Sequence, residues 1–482
     1  MKNKPLIIII FPLMMILGIS GCKVFDVPSK QENKTTPESY PYPAEQKTSR
    51  TEQINWHSYF DDPNLVALID SALLNNQELN IVQQELAINS NEVRARKGEY
   101  LPFVSFMGGA GIEKVGRFTR NGAVEENLEL KPGKAFPEPV PDFMLGTIAS
   151  WELDVWKKLR NSKKSALSKY LASVEGKNFM VTNLVAEIAN AYYELMALDN
   201  ILETIQSNIS IQTTVYEVLK QQKEAAKVTQ LAVNRFEAQV LNTKNLQFEV
   251  LQKIIETENR INLLVGRFPE SIPRSSKEFK EIEIESIYSG IPSDLLTNRP
   301  DIRQAELELV ASKLDVSIAK ANFYPSFTIK AGIGFQSFNP SFLLNPESML
   351  YSFAGDLAAP LINRNAIKAT YYSANARQMQ AVFNYERSIL NAYLDVLNQL
   401  GKVDNYNKSY ESKSKEVAIL VKSIDISNSL FNSARADYME ILLTQREALE
   451  SNMELLEIKL KQLSAKVSIY RALGGGWTSQ QL

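Results

Sequence analysis

Residues 101–112 and 324–335 repeat one pattern 223 positions apart, and that pattern is a strand with one apolar and one polar side. In the later copy Phe327, Ile329, Ala331, Ile333 and Phe335 point one way, while Ser326, Thr328, Lys330, Gly332 and Gly334 point the other. The earlier copy sets Pro102 at the place of Pro325, with Val104, Phe106, Gly108, Ala110 and Ile112 in the apolar row. Its opposite row, Phe103, Ser105, Met107, Gly109 and Gly111, is less polar. Side chains alternate along a strand, so such a segment divides lipid from water, or a core from solvent. Its recurrence predicts a tandem duplication.

Each copy is followed by a return strand. After a loop at 113–141 with four prolines, Phe143, Leu145, Thr147, Ala149, Trp151 and Leu153 lie opposite Gly146, Ser150, Glu152 and Asp154. The second loop turns around Pro340 and Pro346, and Tyr351, Phe353, Leu357, Ala359 and Leu361 then oppose Ser352, Ala354, Asp356 and Ala358. Two hairpins make four strands, and four cannot close a barrel. The smallest membrane barrels have about eight, and lipid does not tolerate an open strand edge. A spanning form therefore pools hairpins from several chains. Two chains give a small barrel filled by its own side chains and three leave room for a lumen; this argument keeps both open.

Long helices follow each hairpin. No proline occurs between Pro141 and Pro269 or after Pro360, and interior proline is what breaks helices. Apolar residues recur at 4-3 spacing from Leu167 through Val181, Ile188, Leu195, Leu202 and Ile209 to Leu219, lapsing at Lys177 and Gln212. The second half repeats this from Ile389 through Val396, Val403, Val417 and Ile424 to Phe431, lapsing at Asn407, Ser414 and Asn428. A sustained seven-residue repeat means helices that supercoil on neighbours. From Lys157 to about Gln222 such a helix is roughly 100 Å long, several times a bilayer's thickness. Turns are expected near 223–229 and 432–437, each opening a return helix. The first return helix ends at Gly266 and the second at Gly474, Gly475 and Gly476, glycine being a common helix stop. Before the first hairpin, Asp62 and Pro63 suit a helix start, with the helix running on to Gly98.

At the N-terminus Lys2 and Lys4 precede an apolar run over 6–17 that is too short for a comfortable transmembrane helix, which reads as a signal peptide. Ile19, Ser20, Gly21 and Cys22 then resemble a bacterial lipobox, whose cysteine receives diacylglycerol on sulfur and an acyl chain on its amine. Three acyl chains anchor firmly at about 0.8 kcal/mol per buried methylene. The competing reading is a buried free thiol behind an ordinary signal. Lys23 stands where an aspartate often retains lipoproteins in the inner membrane, which favours the outer one. Cys22 is the sole cysteine, so no intrachain disulfide forms. Loss of the signal leaves 51 basic against 55 acidic side chains, and neither that balance nor any basic cluster suits nucleic acid.

Several stretches together resemble the TolC-like outer-membrane efflux proteins, specifically their lipoprotein branch. They are Ser293 to Ile302 with Arg299, Pro300 and Asp301; Ala305 and Glu306; Ala319, Lys320 and Ala321 leading to Phe323, Tyr324 and Pro325; Trp151 to Trp156; and Ala472 to Trp477. Trp56, Phe60, Asp62, Pro63 and Leu65 fit as well. The resemblance implies a mainly α chain with a β membrane portion. Its tandem-duplicated long antiparallel helices would form a periplasmic α-barrel, and two β-hairpins per chain would join a shared trimeric 12-stranded β-barrel. The implied divisions are a signal peptide at 1–21, a lipid-anchored tether at 22–55, repeats at 56–268 and 292–482, and an equatorial connector at 269–291.

The implied function is that of an outer-membrane exit duct in a tripartite efflux pump, passively conducting drugs or other small molecules. Expected partners are a homotrimer, a periplasmic adaptor, a proton-driven inner-membrane pump and outer-membrane lipid. Asp437 and Arg435 fall where the family narrows its tunnel. Three copies of Asp437 would ring the axis, whereas the plainer reading makes it a helix N-cap and Arg435 a solvated charge. The tips read Ala225 to Thr229 and Ala434 to Tyr438, departing from the glycine the family commonly carries there. Glu152, Asp154, Lys330 and Asp356 are expected to face the lumen, and Arg299 and Asp301 to open a helix. No catalytic residue, cofactor site or metal site is expected. His57 is the single histidine, and no metal-ligand spacing or phosphate loop is present. The alternatives are the outer-membrane part of a protein or peptide secretion system, or a non-conducting coiled-coil lipoprotein.

Overall fold

A computed structural model describes residues 27–28, 30–41, 55–135, 137–282, 291–362, 364–433 and 435–475. The expected signal peptide, Cys22, most of the tether and Trp477 lie outside them. The order is α1 (Pro63–Asn75), α2 (Gln77–Glu99), β1 (Phe103–Glu113), β2 (Val140–Leu153), α3 (Lys158–Glu224) and α4 (Gln230–Val265). There follow α5 (Pro300–Ala321), β3 (Ser326–Ser337), β4 (Met349–Ala358), α6 (Asn365–Asn432) and α7 (Tyr438–Ala472). From each hairpin onward the two halves match: α3 and α6 have 67 and 68 residues, and α4 and α7 have 36 and 35. Both long helices reach about 100 Å at 1.5 Å per residue.

Contacts divide the chain into two units. The first holds a four-stranded antiparallel sheet in the order β1-β2-β3-β4, with helix ends attached. β1 and β3 begin just past Pro102 and Pro325, which have no N–H to donate. β4 stops at Ala358, so Ala359 and Leu361 lie beyond the strand instead of extending its apolar row, because Pro360 ends the ladder. A small cluster of Ala319, Phe323, Tyr371 and Ala374 packs beside the sheet, with Val27 against it.

The second unit is helical. Its core joins Leu65, Leu68, Ile69 and Ala72 of α1, the stretch from Val181 to Ile205 of α3, Val250 to Val265 of α4, and Leu449 to Tyr470 of α7. The connector enters the same core through Ile272 and fully buried Phe279. Arg274 pins it, reaching Asp199 at 2.6 Å and Glu258 at 2.5 Å. Two of the polar lapses in the heptads, Gln212 and Asn407, make cross-helix bonds. Thr243 on α4 donates to Gln212 on α3 at 2.8 Å, and Gln462 on α7 donates to Asn407 on α6 at 2.8 Å. A buried polar pair fixes the sliding register of two apolar-striped helices.

The helix expected to continue to Gly98 is broken at Asn76. That side chain accepts the N–H of Leu79 at 2.9 Å and donates to the carbonyl of Leu264 at 2.8 Å, so it restarts the helix and ties it to α4. Both return helices end on a left-handed glycine, Gly266 at φ 78° and Gly474 at φ 82°. Each lies against another helix end: a Cβ on Gly266 would sit 2.3 Å from the Asn75 carbonyl oxygen, and one on Gly474 2.6 Å from that of Asn298. Gly266→Ala should therefore destabilise the helical unit by at least the about 1–2 kcal/mol of left-handed strain. A lowered thermal midpoint in detergent reports this, and an unchanged midpoint would contradict the packing described.

Candidate functional site

Residues paired across a sheet share a face, so the register assigns every strand side chain to one of two surfaces. Ser150 pairs with Lys330 and Lys330 with Ala354; Glu152 pairs with Thr328 and Thr328 with Asp356. Gly111 pairs with Asp142. One surface thus carries Asp142, Ser150, Glu152, Thr328, Lys330 and Asp356, with glycines and a few apolar residues such as Met107 and Ile148 between them. The other carries Val104, Phe106, Ile112, Phe143, Leu145, Ile329, Ile333, Tyr351, Phe353 and Leu357, with no charged residue on any of the four strands. This apolar surface is largely open, Tyr351 and Phe353 being 79% and 77% exposed. Strands of 11, 14, 12 and 10 residues match the about 9–11 that a tilted strand needs to cross hydrocarbon. Strands β1 and β4 are hydrogen-bonded on one side only. No described helix is long and apolar enough to cross a membrane.

Three of the four charges expected on the polar surface are there. Lys330 pairs with Asp356 at 2.8 Å, and Glu152 with Lys158 in the first turn of α3 at 2.5 Å. Asp154 is not. Its side chain is buried, 2% exposed, and folds onto the start of α3. It accepts the N–H groups of Leu159 and Arg160 at 2.9 Å each and the Arg160 Nε at 3.0 Å. The first turn of a helix leaves N–H groups without partners, and a carboxylate is their natural acceptor. Burial works against the charge of Asp154, but the Arg160 and Leu159 N–H groups and the Arg160 guanidinium outweigh it and hold the carboxyl below its ordinary range. The neighbouring tryptophans lock the same junction. Trp156 donates to the Pro325 carbonyl at 2.7 Å and stacks on Tyr324, and Trp151 donates to the Tyr100 carbonyl at 3.1 Å.

The two tips are built alike. After α3 the N–H of Lys227 reaches back to the Gln222 carbonyl at 2.8 Å, and after α6 the N–H of Arg435 reaches Leu430 at 2.8 Å. Ala226 takes φ 54° in this turn, the conformation that glycine adopts without strain. Asp437 is the N-cap of α7, accepting the Tyr438 N–H at 2.6 Å, as Thr229 caps α4. Both Asp437 and Arg435 are exposed. Below the tips Leu219, Val233, Phe236 and Ile441 form a separate apolar cluster.

Arg299 is more than a helix-start residue. Only 7% exposed, its side chain binds Asp301 at 2.7 Å, the Ala472 carbonyl at 2.9 Å and Asp395 at 3.4 Å, so the Arg-Pro-Asp motif ties α5, α6 and α7 together. Burial opposes its charge, but Asp301 and Asp395 raise its affinity for the proton. Residues 33–40 of the expected tether dock in the helical unit. Lys34 pairs with Glu306 at 2.6 Å, the Asn33 N–H donates to Glu386 at 3.1 Å, and Tyr40 stacks on Tyr393 with centroids 5.4 Å apart.

The sequence profile of the outer membrane efflux protein family matches residues 68–267 and 291–475. The chain is 26% identical over 482 residues to the solvent efflux pump outer membrane protein SrpC of Pseudomonas putida, covering 98% of each. It is 24% identical over 477 residues to the cation efflux system protein CusC of Escherichia coli, covering 97% of this chain and 98% of that one. The open-state structure of the Neisseria gonorrhoeae MtrE outer membrane channel superposes with a TM-score of 0.81 at 22% identity, over 94% of this chain and 98% of that one.

The Asp154 contacts carry a pH signature. A carboxylate held below its ordinary range stabilises the fold fully above its unfolded value of about 3.9, and that contribution fades as pH falls through the folded value. Asp154→Asn should cost about 1 kcal/mol at pH 7, the worth of a helix cap. The thermal midpoints of variant and parent should converge below about pH 4, and a constant gap from pH 7 to 3 would contradict this.

Proposed function

The chain belongs to the outer membrane efflux protein family, and on that premise we propose that it is the passive exit duct of a tripartite export pump. The carrying observation is the four-stranded sheet with one uncharged, mostly apolar open face and an edge strand on either side that is hydrogen-bonded on its inner side only. In hydrocarbon each unpaired backbone group is costly, so the sheet is complete only when β1 and β4 meet other copies of the chain. Three copies supply twelve strands, enough for a water-filled lumen, where two would leave a filled barrel. The polar face then lines the lumen and the long helices of α3 and α6 continue the duct into the periplasm.

Energy in this reading comes from a proton-driven inner-membrane pump joined through a periplasmic adaptor. Cys22 carries the lipid that anchors a tether over 22–55, and the repeats at 56–268 and 292–482 flank the connector at 269–291. Asp437, with Arg435 beside it, narrows the inner end. Its capping bond to Tyr438 uses one carboxylate oxygen and the residue stays exposed, so capping and an acidic ring are compatible. The chain is similar over nearly its whole length both to a relative named for solvents and to one named for cations, which supports a cargo chosen by the pump, with small molecules as the proposed class.

Purified protein should run as a three-chain complex and form single-step conductances in planar bilayers. Asp437→Ala should raise the conductance and weaken cation preference, while unchanged values would remove Asp437 from the gate. Deleting the gene should sensitise cells to several unrelated toxic compounds. A monomeric, non-conducting product would sink the duct reading.

A further inference from the structure

Charges on the polar face of the sheet are unevenly matched. The four strands place four carboxylates there, Glu113, Asp142, Glu152 and Asp356, and a single cation, Lys330. Glu152 is answered from outside the sheet by Lys158. Asp142 is held by the neutral amide of Gln336, which donates to both its oxygens at 3.0 and 3.1 Å and leaves its charge intact. Only Lys330 opposes the acidic balance from within the strands, and its ammonium sits 2.8 Å from Asp356.

We propose that Lys330 sets the charge tolerance of the lumen, keeping a carboxylate-lined pore passable to small anionic solutes. The inference rests on the duct reading above. Stability does not account for the Lys330–Asp356 pair. Its side chains are 59% and 52% exposed, and exposed pairs contribute only about 0–1 kcal/mol. The residues directly beside it are small. Its cross-strand neighbours are Ser150 and Ala354, and the next positions along the same face are Thr328 and Gly332. The pair therefore stands in the water of the lumen, where its charges shape the field met by passing ions. Removing Lys330 leaves Asp356 unanswered, and every additional copy of the chain repeats the imbalance.

Magnitude selects the conditions for the test. The Debye length is about 8 Å at 0.15 M ionic strength, about 30 Å at 0.01 M and about 3 Å at 1 M, so the effect reaches across a lumen only in dilute salt. The full-length complex is reconstituted in planar bilayers under a potassium chloride gradient, and reversal potentials are read for the parent, Lys330→Gln, Lys330→Arg and Asp356→Asn. Near 0.01 M, Lys330→Gln should raise the cation-to-anion permeability ratio about twofold, with the shift disappearing toward 1 M. Asp356→Asn should move the ratio the opposite way, and Lys330→Arg should keep the parent's value. A Lys330→Gln channel with the parent's ratio overturns the proposal, as does a Lys330→Arg channel that shifts with it. A parent complex that fails to conduct overturns the duct reading, and this inference falls with it.

Discussion

The rest of the structure depends on the backbone hydrogen-bonding groups along the outer edges of β1 and β4. A peptide group stripped of water and left without a partner costs several kcal/mol in hydrocarbon, and an edge of ten or more residues presents a row of them. No side-chain arrangement within one chain answers that cost, because the strands between these edges are already paired on both sides. In the proposed duct the fold is a fraction of an assembly, and the alternation of its two faces makes sense once the sheet is closed. In that reading, apolar area that would be a liability on a soluble protein becomes the lipid-facing wall, and the glycines of the other face leave room for water.

Closure in turn sets demands on the strand-to-helix junctions. A sheet that must meet its neighbours edge to edge needs its strands held at fixed heights, and Asp154, Trp151 and Trp156 supply that where β2 passes into α3. The carboxylate anchors the helix start, and the two indoles tie it to the backbone before β1 and before β3. In the helical unit the same need for register is met by single polar pairs within apolar seams, Gln212 with Thr243 and Asn407 with Gln462. Arg299 then fastens the start of one helix to the end of another.

Periodicity made the secondary structure legible. The strand alternation located both hairpins, and proline gaps with 4-3 spacing located the helices to within a few residues, because each pattern repeats over many positions and one lapse does not erase it. Features resting on a single side chain were less visible. Asn76 looks like any polar residue on a helix surface, and only its bond to the Leu264 carbonyl shows why the helix restarts there. Asp154 continues the polar row of its strand in sequence, yet the strand ends one residue earlier and the carboxylate turns to the helix instead. The tips were legible as turns and as a capping position, whereas the left-handed Ala226 was not, since alanine advertises no positive φ.

The placement of α7 within the core bears on what a repeat is. Leu449, Leu456, Leu463 and Val467 come from the second copy of the sequence, yet they fill the same interior as Ile69, Ile188 and Ile261 from the first. Neither copy keeps an interior of its own there, so the unit of inheritance and the unit of folding no longer coincide. A polypeptide carrying one copy would have to recruit a sister molecule to finish its interior, and twice as many chains to complete the same wall.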